Sequence, residues 1–193
     1  MPIQRAKPRR LEIPALTADD LPAVPHSKQP SGSILQVVQG TDNSWNSNAV
    51  SADSNTTWVS QSITRKENDS KIQVIFSGCY GTNGAGDTSV NLRRGSTYLS
   101  YGTAGASRNN TTYSIGTDKG GTSALSGSGT YIMLPTTFSF LDSPASGSSA
   151  LTYTVSIWVQ NASTIYPNGD GWRGSGQQSH GTQANLILLE IAA

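Results

Sequence analysis

The sequence has little of what several classes of protein require. Its 193 residues include one cysteine, Cys79, and only 13% are charged, about half the usual fraction. One cysteine cannot form a disulfide within the chain, so a disulfide-rich scaffold is excluded. Scarce Glu and Lys disfavour a helical bundle, and a formal net charge of +1 is too small for a general nucleic-acid binder. No apolar run approaches the roughly 18 residues that would span a membrane, so neither nucleic acid nor membrane is expected as a partner.

Ser, Thr, Gly and Asn are abundant instead, and they separate short stretches in which apolar and polar residues alternate. The clearest stretch sets Tyr153, Val155 and Ile157 against Thr154 and Ser156. A period of two is typical of a half-buried strand. About eight such stretches predict an all-β protein, an antiparallel β-sandwich of jelly-roll-like type.

Three local expectations follow from the same pattern. In the stretch around residue 60 we expect Trp58 to face away from Val59, because neighbours in a strand point to opposite sides. We expect Gly95 to adopt a positive φ in a tight turn. Asp142 precedes Ser-Pro, so we interpret it as a turn residue and not as a catalytic group.

The first 30 residues differ from the rest, because they hold six of the nine prolines. Proline fixes φ and removes a backbone donor, which excludes a regular helix or a central strand here. We predict two parts, an extended arm at 1–30 and a β-sandwich domain at 31–193. Small apolar residues between the prolines favour an arm that docks in a groove of another protein; a disordered tail is the alternative. The residues expected to dock are Arg5, Arg9, Arg10, Leu11, Ile13, Leu16, Leu21 and Val24.

A search for catalytic and metal-binding patterns finds little. The chain has two histidines, His26 in the arm and His180 in a Gly-rich loop, which with one cysteine do not make a zinc site. No phosphate-binding loop and no nucleophile elbow occur. We therefore predict that the protein is not an enzyme and that it uses no metal and no cofactor.

The loop at 165–181 is the best candidate binding surface. It combines aromatic rings, which stack on sugars, with planar polar groups, which bond to hydroxyls. The residues proposed for carbohydrate binding are Tyr166, Trp172, Arg173, Gln177 and His180. An ordinary loop packed at a contact between subunits is the alternative.

Several segments resemble, in order and spacing, a β-sandwich domain found in virion proteins of tailed bacteriophages, especially marine and freshwater phages including cyanophages. The matching segments are 32–39 (GSILQVVQ), 70–77 (SKIQVIFS), 92–97 (LRRGST), 138–144 (SFLDSP within FSFLDSP), 151–155 (LTYTV) and 184–191 (ANLILLEI). The resemblance covers roughly residues 31–193; the arm and the loop at 166–183 lie outside it.

The resemblance implies a structural virion component, such as a tail fibre, a head fibre or a capsid decoration protein, and commonly a homotrimer. Exposed apolar side chains such as Trp158, Tyr98 and Tyr101 would also favour a homo-oligomer. The expected partners are other copies of the chain and further capsid or tail proteins, and the expected location is the virion surface after synthesis in the bacterial cytoplasm. The alternative is a receptor-binding adhesin that recognises a host surface carbohydrate through residues 165–181.

Overall fold

The computed structural model describes residues 25, 28–44, 47–82, 88–99, 113–115, 133–169 and 181–193. The predicted arm, apart from Pro25 and residues 28–30, lies outside this part of the chain. These described residues contain eleven β-strands: β1 Ile34–Asp42, β2 Asn48–Val50, β3 Ser54–Ile63, β4 Lys71–Thr82, β5 Thr88–Arg94, β6 Thr97–Leu99, β7 Tyr113–Ile115, β8 Leu134–Asp142, β9 Leu151–Val159, β10 Ser163–Pro167 and β11 Ala184–Ile191.

The strands form two sheets in which every pair is antiparallel. In the first, sheet A, β4 pairs with β8 along one edge and with β11 and then β10 along the other, while β1 and β2 complete the far side. In the second, sheet B, the order is β3, β9, β5, and both β6 and β7 pair with the far edge of β5. The predicted all-β antiparallel sandwich is thus confirmed.

The core lies between the sheets and is supplied by alternate residues, as the period-two pattern predicted. On β9 the side chains of Tyr153, Val155 and Ile157 are fully buried. Leu186 and Leu188 of β11 are fully buried as well, and they belong to the same apolar cluster. Each such side chain contributes about 1.5–3 kcal/mol relative to an exposed one, so burial in this layer holds the sheets together.

The expectation for Trp58 is wrong, because the strand is not regular there. A β-bulge between Thr57 and Val59 inserts one extra residue opposite β9. Trp58 and Val59 therefore both lie in the core, with 4% and 5% of their surface exposed. The indole sits over Gly78 of sheet A, where a Cβ would lie 2.6 Å from the Trp58 ring. Only glycine leaves room for this contact between the two sheets.

Three short strands, β2, β7 and β10, were not predicted, since each is too short to show a period. Of the two apolar runs at 131–134 and 138–141, the second lies wholly in β8, whereas only Leu134 of the first does; Met133 precedes the strand, and residues 131 and 132 lie outside the described residues. Pro135 is compatible with this strand because, among the described strands, β8 pairs with β4 alone and lies at the edge of sheet A. The tight turn at Gly95 is confirmed, with φ of 56° between β5 and β6.

Candidate functional site

The outer side of sheet A carries a group of apolar side chains, which we call the apolar face. Ile34, Val37, Ile75 and Leu141 are 56%, 58%, 36% and 45% exposed. The remaining members are half-buried: Ile187, Leu189 and Ile191 of β11. The largest apolar patch on a monomeric protein is typically about 300–600 Å² and often serves an interaction.

The register of sheet A makes these residues neighbours. One row across the sheet runs from Val37 through Leu189 and Gln73 to Leu141. The next row runs from Gln39 through Ile187 and Ile75 to Ser139, so its two apolar side chains are neighbours with a polar residue at each end. Residues paired across antiparallel strands share a face and lie about 5 Å apart, so the apolar side chains form one surface. The surface ends at the row of Thr41, Asn185, Ser77 and Thr137, which is polar.

The outer side of sheet B is polar, and many of its side chains bond to one another. Ser60 Oγ lies 3.0 Å from Thr154 Oγ1, and Ser62 Oγ lies 2.7 Å from Thr152 Oγ1. Asn55 accepts a hydrogen bond of 3.2 Å from Asn91 Nδ2 and donates one of 3.4 Å to the Tyr98 hydroxyl. The Arg93 guanidinium stands 5.7 Å from the centre of the Tyr98 ring. We call this the polar face.

The polar face is covered on the side of β5. Ser89 and Asn91 of β5 and Ser156 of β9 are at most 3% exposed, although their register places them on the outer side. Ser89 Oγ, Asn91 Oδ1 and Ser156 Oγ have no hydrogen-bond partner among the described residues. A buried oxygen that accepts no hydrogen bond lowers the free energy of unfolding.

A charged cluster ties the two sheets together at one end of the sandwich. Asp142 of β8 accepts a hydrogen bond of 2.6 Å from the Tyr153 hydroxyl of β9, and it forms an ion pair with Arg94 of β5. Burial, and then the charge of Asp142, raise the pKa of Tyr153, so the hydroxyl remains a donor. Partial burial alone would lower the pKa of Arg94, but Asp142 outweighs it and raises that pKa. Asp142 is therefore a buried link between sheets, and not simply a turn residue.

A second cluster surrounds Glu190 of β11, which is fully buried. Its carboxylate accepts hydrogen bonds from the Ser70 hydroxyl at 2.6 Å, from the Gln36 amide at 2.5 Å and from the backbone N–H of Lys66 and Glu67 at 2.7 and 3.0 Å. Burial alone would raise the pKa of Glu190, but these donors together outweigh it and lower the pKa. The cluster fixes the loop between β3 and β4.

A third cluster holds the base of the loop that follows β10. Asn168 is fully buried with φ of 60°, a conformation that asparagine tolerates. Its side chain accepts a hydrogen bond of 3.2 Å from the Trp58 indole and donates one of 3.1 Å to Asp42. Next to it, Gly169 and Gly181 form a β-bridge. The chain segments on either side of residues 170–180 are thereby held together.

The residues proposed from the sequence are only partly covered by these clusters. Tyr166 lies in β10 and is 9% exposed. The other four carbohydrate-binding candidates, Trp172, Arg173, Gln177 and His180, lie outside the described residues, as do all eight docking candidates in the arm and Tyr101. Trp158 is half-buried and Tyr98 is 38% exposed, both on the polar face.

The described residues offer neither a cluster of metal ligands nor a helix that could span a membrane. They contain no group of three or more His, Cys, Asp or Glu side chains that could hold a metal ion. They also contain no helix with the length and apolar character needed to cross a membrane. Cys79 is half-buried, and burial raises the pKa of its thiol above the ordinary value.

The comparisons with known proteins identify no family for this chain: no protein-family model matches it, and neither does any curated protein.

Proposed function

We propose that this chain is a structural, non-enzymatic component of a tailed-phage virion. In this proposal residues 1–30 form an arm that docks on the particle. Residues 31–193 form a β-sandwich that is displayed at the virion surface as a homotrimer, as part of a fibre or as a decoration protein.

The observation that carries the proposal is the apolar face of sheet A. Four of its side chains are more than a third exposed, which suits a protein that works in an assembly and not alone. The three polar clusters also support a structural role, because the hydrogen bonds of Asp142, Glu190 and Asn168 stabilise the fold. A rigid sandwich with interacting surfaces is what a virion surface requires.

The docking of the arm can be tested on particles that lack this protein. Full-length protein and the triple variant Arg5→Glu/Arg9→Glu/Arg10→Glu are added, and the bound protein is measured after sedimentation of the particles. We expect the variant to bind at least about tenfold more weakly, because charge complementarity at an interface is reversed. The variant Lys66→Glu, at an exposed position outside both the arm and the apolar face, is the control for a reversed charge. Equal binding of both variants and the parent would contradict docking through the arm.

Recognition of a host carbohydrate through residues 165–181 is the second candidate function. The observation that favours it is the fixed base of this loop, where Asn168 bonds to Trp58 and Gly169 pairs with Gly181. A fixed base lowers the entropy lost on binding. Weak single sites would gain strength from several copies on one particle.

A glycan array probed with the full-length protein tests this second function. We expect Trp172→Ala to abolish binding to any glycan that the parent protein retains, whereas Trp158→Ala, on the polar face, leaves it intact. If Trp158→Ala removes the binding and Trp172→Ala does not, then the polar face and not the loop binds the glycan.

A further inference from the structure

The four most exposed side chains of the apolar face lie on β1, β4 and β8 of one sheet. Together they offer roughly 400 Å² of apolar surface. An extended chain segment that presents its apolar side chains along one strip suits a surface of this kind.

Residues 11–24 of this chain have the composition that fits the face. Their sequence, LEIPALTADDLPAV, alternates apolar side chains with two prolines. The prolines prevent this segment from satisfying its backbone hydrogen bonds in a helix. An extended conformation would present its apolar side chains to a surface. The segment carries three acids and no base, while Lys71, exposed on β4, pairs in register with Ile191 of the face. The apolar residues of the segment thus match the apolar face, and its acids match the charge of Lys71.

The point at which the segment joins the sandwich is close to the face. The backbone N–H of Gly32 donates to the carbonyl of Ala192, and that of Ala192 donates to the carbonyl of Ser33, both at 2.9 Å. The next pair in this ladder is Ile34 with Ile191, two members of the apolar face. The chain turns between Pro25 and Lys28 and between Pro30 and Ser33, because the backbone N–H groups of Lys28 and Ser33 donate to the carbonyls of Pro25 and Pro30. An extended path from residue 24 back to residue 11 spans about 45 Å, which is enough to cross to a neighbouring copy.

We infer that residues 11–24 of one copy lie on the apolar face of a neighbouring copy, so that the proposed homotrimer is joined by exchanged arms. This inference takes the homotrimer from the proposed function. It adds that the apolar half of the arm binds the apolar face of a neighbouring copy. The basic residues 1–10 are left free to contact the particle.

Photo-crosslinking in purified full-length protein tests the exchange without any virion. Leu16→p-benzoyl-phenylalanine is prepared in light and in ¹⁵N-labelled form, the two are denatured and refolded together, and the crosslinked peptides are identified by mass spectrometry. We expect crosslinks to β1, β8 and β11 in which light and heavy peptides are joined. The inference is overturned if the crosslinks join only peptides of the same isotope. It is also overturned if crosslinks form to other parts of the chain or if no crosslinks form.

Variants of the face supply the control. Val37→Asp and Leu141→Asp replace exposed apolar residues, and Thr137→Asp adds the same charge at an exposed position on the same side of β8. We expect the first two to lower the crosslink yield at least about fivefold and to shift the mass in solution, measured by light scattering, to that of a monomer. Thr137→Asp should change neither. Retention of the oligomer in Val37→Asp and Leu141→Asp would overturn the inference. The particle-binding test of the arginines would remain valid.

Discussion

The two sheets of the sandwich share an architecture but expose opposite chemistry. On the apolar face of sheet A, Val37 and Leu141 are about half exposed and offer no polar group to a partner. On the polar face of sheet B, hydroxyls such as those of Ser62 and Thr152 bond to each other. A sandwich needs only its inner layer to fold, so the outer residues are free to differ. The difference favours sheet A over sheet B as the surface that contacts an apolar segment of chain in the proposed assembly.

The cluster around Asp142 holds the two sheets together. We expect the largest loss of stability when this cluster is removed. Asp142→Ala would remove the acceptor of the Tyr153 hydroxyl and leave Arg94 without its counter-ion. We expect the free energy of unfolding to fall by about 3 kcal/mol, the low end for a broken buried pair, because Arg94 is partly exposed. Urea denaturation of Asp142→Ala and of the control Thr137→Ala measures it. A loss below 1 kcal/mol would mean that the cluster does not join the sheets.

The next effect concerns the contact of the sheets across the core. Gly78→Ala would place a methyl group 2.6 Å from the Trp58 ring, so that ring or strand must move. We expect a loss of about 2 kcal/mol, in the range of overpacked cores, and a change in the fluorescence of Trp58. The matched control is Ser77→Ala on the outer side of β4. Equal stability of the two variants would show that the indole is free to shift.

A pH-dependent effect is expected at Glu190. Its pKa in the folded protein is lowered, so its stabilising contribution is present above the unfolded pKa of about 4.3 and is lost as the pH falls through the folded value. Glu190→Gln should therefore cost about 2 kcal/mol at pH 7, where its amide meets backbone donors, and less at pH 3. Unfolding curves at both pH values, with Glu67→Gln as control, measure the difference. A constant cost across this range would contradict the role of the charge.

The sequence predicted the fold class because burial follows a period of two wherever strands are regular. Tyr153, Val155 and Ile157 lie in the core as expected. The pattern failed at Trp58, since a bulge is a tertiary feature that leaves no mark in local alternation. It also failed for Asp142, whose partners Arg94 and Tyr153 are distant in sequence.

The apolar face was harder to foresee than the core. A near-continuous apolar run at 186–191 does predict that β11 has apolar residues on both sides, and this signal was present. In the sequence, Val37 and Ile75 are indistinguishable from other strand residues. The alternation of apolar and polar residues does not reveal that β1, β11 and β4 are adjacent in the sheet. Register across strands, which sets the rows of the face, follows from long-range pairing and not from local sequence.

The smallest changes in stability are expected when one residue of each outer face is replaced by a residue typical of the other face. Val37→Thr puts a hydroxyl on the apolar face, and Thr154→Val removes one from the polar face; both swaps keep the shape of the side chain. At low protein concentration we expect each to change the free energy of unfolding by less than about 0.5 kcal/mol. Val37 is 58% exposed, and Ser60 keeps a bond of 3.2 Å to the carbonyl of Tyr153 when Thr154 is lost. Urea denaturation measures both. A cost above 2 kcal/mol for Val37→Thr would mean that a single chain already covers its own apolar face, which would leave no surface there for the arm of another copy.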